Sequence, residues 1–254
     1  MSTGATVPAP VPAAPQESPS ALMRILQTIY APAQAFRGLN GKTGWIIPWL
    51  VLSVISYCFV FAIDKKVGFD KVTENQIKMS PKAAERMDSL SPEQRQKQVD
   101  ISTKVTKYVS FAAPIFLLIW TVIIAAVLLG TFNFGCGAQV GFGMCLSVVM
   151  LSWIPGTVRT LLAIVALFAG VDPDGFDIRN PLATNLGSFF DPSAHAFLYK
   201  LGSGLDIFMI WTLIVAAIGF SCVSKIKRST AMAVIFGWYA VFIVVGAAFG
   251  ALFS

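Results

Sequence analysis

Two residues of this chain could do charge chemistry in apolar surroundings. Arg159 lies within the apolar stretch Val140–Gly170, and Asp206 lies at the start of Leu205–Val223. A guanidinium in hydrocarbon costs a few kcal/mol even on lenient insertion scales, so it must find a carboxylate, backbone carbonyls, water or lipid phosphate. The pattern predicts an Arg159–Asp206 pair that fixes the packing of the two stretches. The same pair is also the minimum for an ion or substrate path, as in a small transporter or channel. His195 is the only histidine, and one imidazole makes neither a triad nor a zinc site. Asp172, Asp174 and Asp177 flank Pro173 and Gly175. They lack the calcium-loop spacing and its terminal glutamate, so a capped turn is expected. Cys58, Cys145 and Cys222 sit in apolar stretches and Cys136 in a Gly-flanked turn. None has CxxC spacing, which reads as reduced structural thiols. The chain has no phosphate-binding loop, dinucleotide fingerprint, nucleophile elbow or zinc-protease motif. No enzyme activity, metal or cofactor is expected.

The elements that must hold these residues belong to a membrane protein. With 56% hydrophobic and 13% charged residues over 254 positions and a mean hydropathy of +0.70, the chain is far from a soluble domain. The apolar stretches are Trp45–Ile63, Val109–Gly130, Val140–Gly170, Leu205–Val223 and Ala231–Phe253. Four have the roughly 20-residue length that crosses a bilayer. The third would make a rod of roughly 46 Å and contains Pro155 and Gly156. It is either one kinked helix or two short ones, which decides between five and six crossings. The fold class is therefore all-α, a polytopic transmembrane helical bundle of five spans, with six as the alternative.

Charge orients the five-span arrangement. The Lys225/Lys227/Arg228 turn is short and basic, hence cytoplasmic, and the acidic 171–204 loop suits the far side. The N-terminus then lies inside, with extracytoplasmic loops at 64–108 and 171–204. Asp64–Tyr108 carries ten Lys/Arg against seven Asp/Glu, a balance that six crossings with an outside N-terminus would suit better. The net charge of +6 is spread without an aromatic-interleaved basic face, so no nucleic-acid partner is expected.

Residues 1–20 are Pro/Ala/Ser-rich without a basic start or apolar core, which reads as a disordered, retained tail. Residues 21–41 follow as an interfacial segment, and 42–254 as the transmembrane domain. Leu22, Leu26, Ile29, Ala33 and Phe36 recur at helical steps beside Arg24 and Arg37. This predicts an amphipathic helix in the headgroup layer or against the protein's own cytoplasmic face, with Trp45 and Trp49 as further interfacial anchors. Ser91-Pro92-Glu93-Gln94 starts a helix with no breaker before Pro114, so a polar helix should project from the second span. It is either a solvated hairpin or a docking device. Gly246/Gly250 and Gly137/Gly141 form GxxxG pairs, expected at close helix–helix contacts within the chain or between copies.

The segment Ile29-Tyr30-Ala31-Pro32-Ala33-Gln34-Ala35-Phe36 leading to Trp45 resembles the Yip-domain family of polytopic membrane proteins. So do Asn180-Pro181-Leu182-Ala183-Thr184-Asn185-Leu186 before Leu205–Trp211 and the basic turn before a Gly-rich last span. The resemblance covers the chain from about Ala21 onward. It implies five spans with a cytoplasmic N-terminus. It also implies partnership either with small GTPases in vesicle traffic or, in bacterial members, with ABC-type export systems as an accessory subunit. The long polar first loop resembles the bacterial form, which places the chain in a cytoplasmic (inner) membrane. The function expected is a non-enzymatic scaffold or accessory subunit binding other membrane proteins. A small transporter and a lipid-binding or membrane-shaping protein are the alternatives.

Overall fold

A computed structural model of the protein describes residues 19–191 and 194–252. Apart from Pro19 and Ser20, the tail expected to be disordered lies outside the described residues. Ser20 caps α1 (Ala21–Tyr30), which α2 (Pro32–Ala35) follows. The first span is α3 (Ile46–Lys66). Three helices fill the first loop: α4 (Phe69–Lys78), α5 (Pro81–Asp88) and α6 (Pro92–Phe111). The second span, α7 (Ala113–Gly130), ends in a π-helical turn, Thr131–Gly135. Then come α8 (Phe142–Ser152), α9 (Ile154–Ala169), α10 (Ala196–Gly204), α11 (Ile207–Val223) and α12 (Arg228–Leu252). Every regular element among the described residues is helical.

The protein is a polytopic helical membrane bundle. Ile46–Lys66, Ala113–Gly135, Phe142–Ala169 and Arg228–Gly250 are long and apolar enough to cross a bilayer, and α11 is a shorter apolar helix. Only 11% of the apolar window of the last span is buried, so the hydrophobic effect requires lipid around it.

The third stretch makes one crossing. Pro155 has no N–H to give Leu151, and the chain steps through Gly156 N–H to the Trp153 carbonyl (3.1 Å) instead. The bend therefore sits at Trp153, where the indole donates to Thr121 Oγ1 of α7 (3.1 Å). Beyond it α9 carries on: Val148 belongs to the core cluster around Phe36, and Leu167 to a second cluster with Val60 and Ile63.

Loops alternate between two ends. At one, Ser147 Oγ donates to the Asn40 carbonyl (3.3 Å), and Asn133 clamps the turn before α8 through Val140. Phe132 stacks on Phe220 at 4.5 Å nearby. At the other, Asn75 of α4 donates to the Pro173 and Phe176 carbonyls (2.8 and 3.1 Å). This joins the 64–108 and 171–206 loops. Five crossings follow, and the six-crossing arrangement is not formed.

Helix α1 is turned opposite to its expected use of charge. Leu22, Met23, Leu26 and Ile29 face outward, while Arg24, Gln27 and Thr28 are buried. Arg24, expected as a headgroup anchor, instead donates to the carbonyls of Ala35, Arg37 and Gly38 at 2.7, 2.7 and 2.9 Å. These carbonyls end α2, where no further helical turn satisfies them. Arg37 itself is exposed. Trp45 donates to Lys42 O (3.2 Å) close to the start of α3. Trp49 is half-buried and spends its indole N–H on the Pro114 carbonyl of α7 (3.0 Å).

Within the chain, the small-residue expectation is met at Gly250 and not at Gly137, Gly141 or Gly246. Gly137, with φ +69°, and Gly141 lie in the turn before α8, and a Cβ on either would meet nothing within 4 Å. They shape a turn and pack no helix. Gly246 likewise faces open space, whereas Gly250 is approached by the Lys200 side chain of α10. A close helix approach outside any such pair is at Gly219, where a Cβ would lie 2.7 Å from Phe36 Cζ and Val148 Cγ1. Gly219→Leu is expected to destabilise the bundle by about 1–3 kcal/mol through overpacking. Thermal unfolding in detergent measures it, and an unchanged midpoint would mean that Phe36 swings aside freely.

Candidate functional site

Helix α11 has 17 residues and spans only about 25 Å, less than a bilayer core. Its first amides have no acceptor within the helix and need one from elsewhere. Asp206 solves this locally, with Oδ1 accepting from Phe208 N–H (2.9 Å) and Met209 N–H (3.2 Å). Its Oδ2 accepts the Thr184 hydroxyl, and Ile207 N–H reaches the Thr184 carbonyl (3.3 Å). The end of the 171–206 segment thus folds back onto the start of α11 through Thr184 and Asp206.

Arg159 completes the cluster from α9. Its Nε lies 3.4 Å from Asp206 Oδ2, and Nη2 donates to Asn180 Oδ1 (3.2 Å). Asn180 and Asn185 pair reciprocally through their amides, at 2.6 and 3.4 Å. The structure therefore brings Arg159 and Asp206 together, tied to Asn180, Thr184 and Asn185. Asp206 is 5% exposed, so the carboxylate is out of reach of bulk water.

Sequence reasoning on charge alone missed the two asparagines and Thr184. Their signal was an Asn-Pro…Thr-Asn run directly ahead of the apolar stretch that Asp206 opens. Further along, Tyr199 donates to Asp177 Oδ2 (2.8 Å). Burial, reinforced by that carboxylate, pushes the Tyr199 hydroxyl up to about 12, so it remains a donor at neutral pH. Tyr239 of α12 donates to the Gly204 carbonyl (2.6 Å). Gly187 and Gly202 touch backbone to backbone, a Cβ on Gly202 lying 2.6 Å from Gly187 N.

Beside the cluster is a cavity of about 340 Å³, to which all five spans contribute. Ser56, Arg159, Asp206 and Thr212 give it a polar side, and Leu52, Phe59 and Met209 an apolar one. The other chemistry-bearing residues stand apart. Asp172 Oδ1 caps Asp174 N–H (2.9 Å) and Asp177 Oδ1 caps Arg179 N–H (2.9 Å). Asp174 pairs with Lys71, whose hydrogen bond holds the carboxyl below the usual aspartate range. His195 is exposed at the N-cap position of α10, with no capping hydrogen bond from its side chain. No group of three or more metal-ligating side chains occurs among the described residues, and the four cysteines are free thiols.

A second candidate surface is the helical cap. The capping box at Ser91 and Gln94 is present, and α6 runs on into α7 with one step at Ala112. Twenty residues make about 30 Å of helix beyond α7. Thr103 of α6 donates to Thr73 of α4 (3.1 Å), yet α6 buries no residue fully. Its outer face presents Ile101, Val105 and Tyr108, the last 74% exposed. Comparison with protein-family models, curated proteins and solved structures gave no match.

Proposed function

We propose that this chain is a non-enzymatic integral membrane scaffold or accessory subunit that holds another membrane protein through α6. The carrying observation is that outer face: Ile101, Val105 and Tyr108 recur at i, i+4 and i+7 and remain exposed. A membrane-proximal helix with such a stripe fits a second helix laid against it. The resemblance to bacterial Yip-domain proteins supports an ABC-type export system as the client and a cytoplasmic (inner) membrane as the site. The basic Lys225/Lys227/Arg228 turn supports a cytoplasmic N-terminus, with α4–α6 outside.

The experiment is crosslinking mass spectrometry on the tagged protein, purified from its native membrane in mild detergent. Recovery of a stoichiometric membrane partner crosslinked to 64–108 is the expected result. Ile101→Asp with Tyr108→Asp should cut that recovery at least tenfold without moving the unfolding midpoint. Recovery of the chain alone, or a partner indifferent to the double substitution, would overturn the reading. The cavity beside Arg159 favours a second reading, a small transporter or channel. Solute flux into proteoliposomes that Thr212→Trp blocks would support it.

A further inference from the structure

The guanidinium of Arg159 has more donors than the protein has acceptors for it. An arginine carries five N–H groups. Nη2 has one partner, Asn180, and Nε is buried without a hydrogen bond although Asp206 Oδ2 is 3.4 Å away. The neighbouring acceptors are already engaged. Asp206 takes Thr184, Phe208 and Met209, and Asn180 Oδ1 also takes Asn185. Unmet donors at this depth are costly, so the cavity calls for an oxygen-rich, anionic group.

Next to it lies an apolar groove of about 310 Å³ between α7 and α12, floored by α8 and α11. The two rims meet through side chains, Trp120 against Phe242 at 5.3 Å and Trp238 Nε1 to Thr131 Oγ1 at 3.0 Å. From Trp120 to Val127 the groove follows α7 for about 10 Å. Trp153, Met209, Thr212 and Tyr239 line both the groove and the Arg159 cavity. The exposed rim residues Ile123 and Phe242 put its mouth against lipid.

We infer that cavity and groove form one binding site for a membrane amphiphile, its carboxylate or phosphate on Arg159 and an acyl chain between α7 and α12. The polarity runs the right way. The head lies toward the end carrying the 171–206 loop, and the chain points toward the N-terminal segment, as for a lipid of the leaflet nearer that loop. The site is independent of partner docking on α6.

Full-length protein in phosphatidylcholine nanodiscs is labelled with photoactivatable palmitate, photoactivatable phosphatidic acid or a neutral monoacylglycerol probe. The crosslinked peptides are then read by mass spectrometry. An anionic probe should label the Ile123 and Phe242 peptides at least tenfold more than the neutral one. Arg159→Gln should remove that excess, and Arg159→Lys should retain part of it. Ile123→Trp, which leaves the polar cluster untouched, should also remove it and keeps the test decisive if Arg159→Gln does not fold. Which anionic probe labels tells a carboxylate from a phosphate head. Equal labelling by the neutral probe overturns the inference, as does labelling spread evenly over α3, α7 and α12. Displacement of the probe by inorganic phosphate alone also overturns it, because the chain would then contribute nothing.

Discussion

Asp206→Ala is expected to lower the stability of the folded protein by about 3–5 kcal/mol, the usual loss when one partner of a buried ion pair is removed. Three effects act together at one carboxylate. The α11 amides of Phe208 and Met209 lose their acceptor, the Thr184 hydroxyl loses its own, and Arg159 keeps a positive charge with only Asn180 beside it. Asp206→Asn separates these effects. Asparagine is a good helix cap, so it keeps the amide contacts and loses the charge, and its cost should be smaller. Thermal unfolding in mild detergent, followed by tryptophan fluorescence, ranks the variants. Should Asp206→Asn match the parent while Arg159→Ala fails to fold, the ion pair is not what holds α9 to α11.

Arg24→Met is the second large expectation, and its effect is local. Hydrogen bonds from a charged donor contribute about 1.5–3 kcal/mol each. Three converge here, on Ala35, Arg37 and Gly38. Because they share one side chain they do not add, and a loss of about 3 kcal/mol is the scale to expect. Methionine can fill the space but leaves the carbonyls without a donor. The contact lies within residues 24–38, so the α1–α2 connection should loosen while Phe36 stays packed on Val148 and Gly219. Trypsin should then cut at Arg37 and Lys42 severalfold faster, with little change in the main unfolding transition. Arg24→Lys restores the charge without the forked geometry and should fall between. Unchanged cleavage in Arg24→Met would show that apolar contacts of Ile25 and Phe36 alone hold the segment.

The spans were legible because length and composition decide them: about twenty apolar residues have few alternatives in water or lipid. The start of α6 was legible from four residues, since a capping box is a local device. The meeting of Arg159 and Asp206 could be expected because charges in apolar stretches have few partners to choose from. What stayed hidden depends on three-dimensional approach. Arg24 read as a surface anchor because periodicity tells which residues share a face, not which side that face meets. Gly137 and Gly141 matched a spacing that means packing only inside a helix, and their chain turns there. Gly219 has no partner glycine four residues away, so its contact with Phe36 could not be read from spacing. Asn180, Thr184 and Asn185 are ordinary turn residues until the fold brings Arg159 and Asp206 against them.

The placement of α10 has a consequence for biogenesis. Tyr239 and Lys200 tie the 171–206 segment to α12, which is synthesised after it. Until Asp206 has followed the segment out of the ribosome, Arg159 has no carboxylate to meet, although it has already entered the membrane. Until then the nascent protein must carry that guanidinium on the apolar strength of α8 and α9, at an insertion cost of about 2.5–3.5 kcal/mol. The arrival of α11 with Asp206, and not the insertion of the third span, is therefore the moment at which the polar centre assembles, and α12 closes over it afterwards.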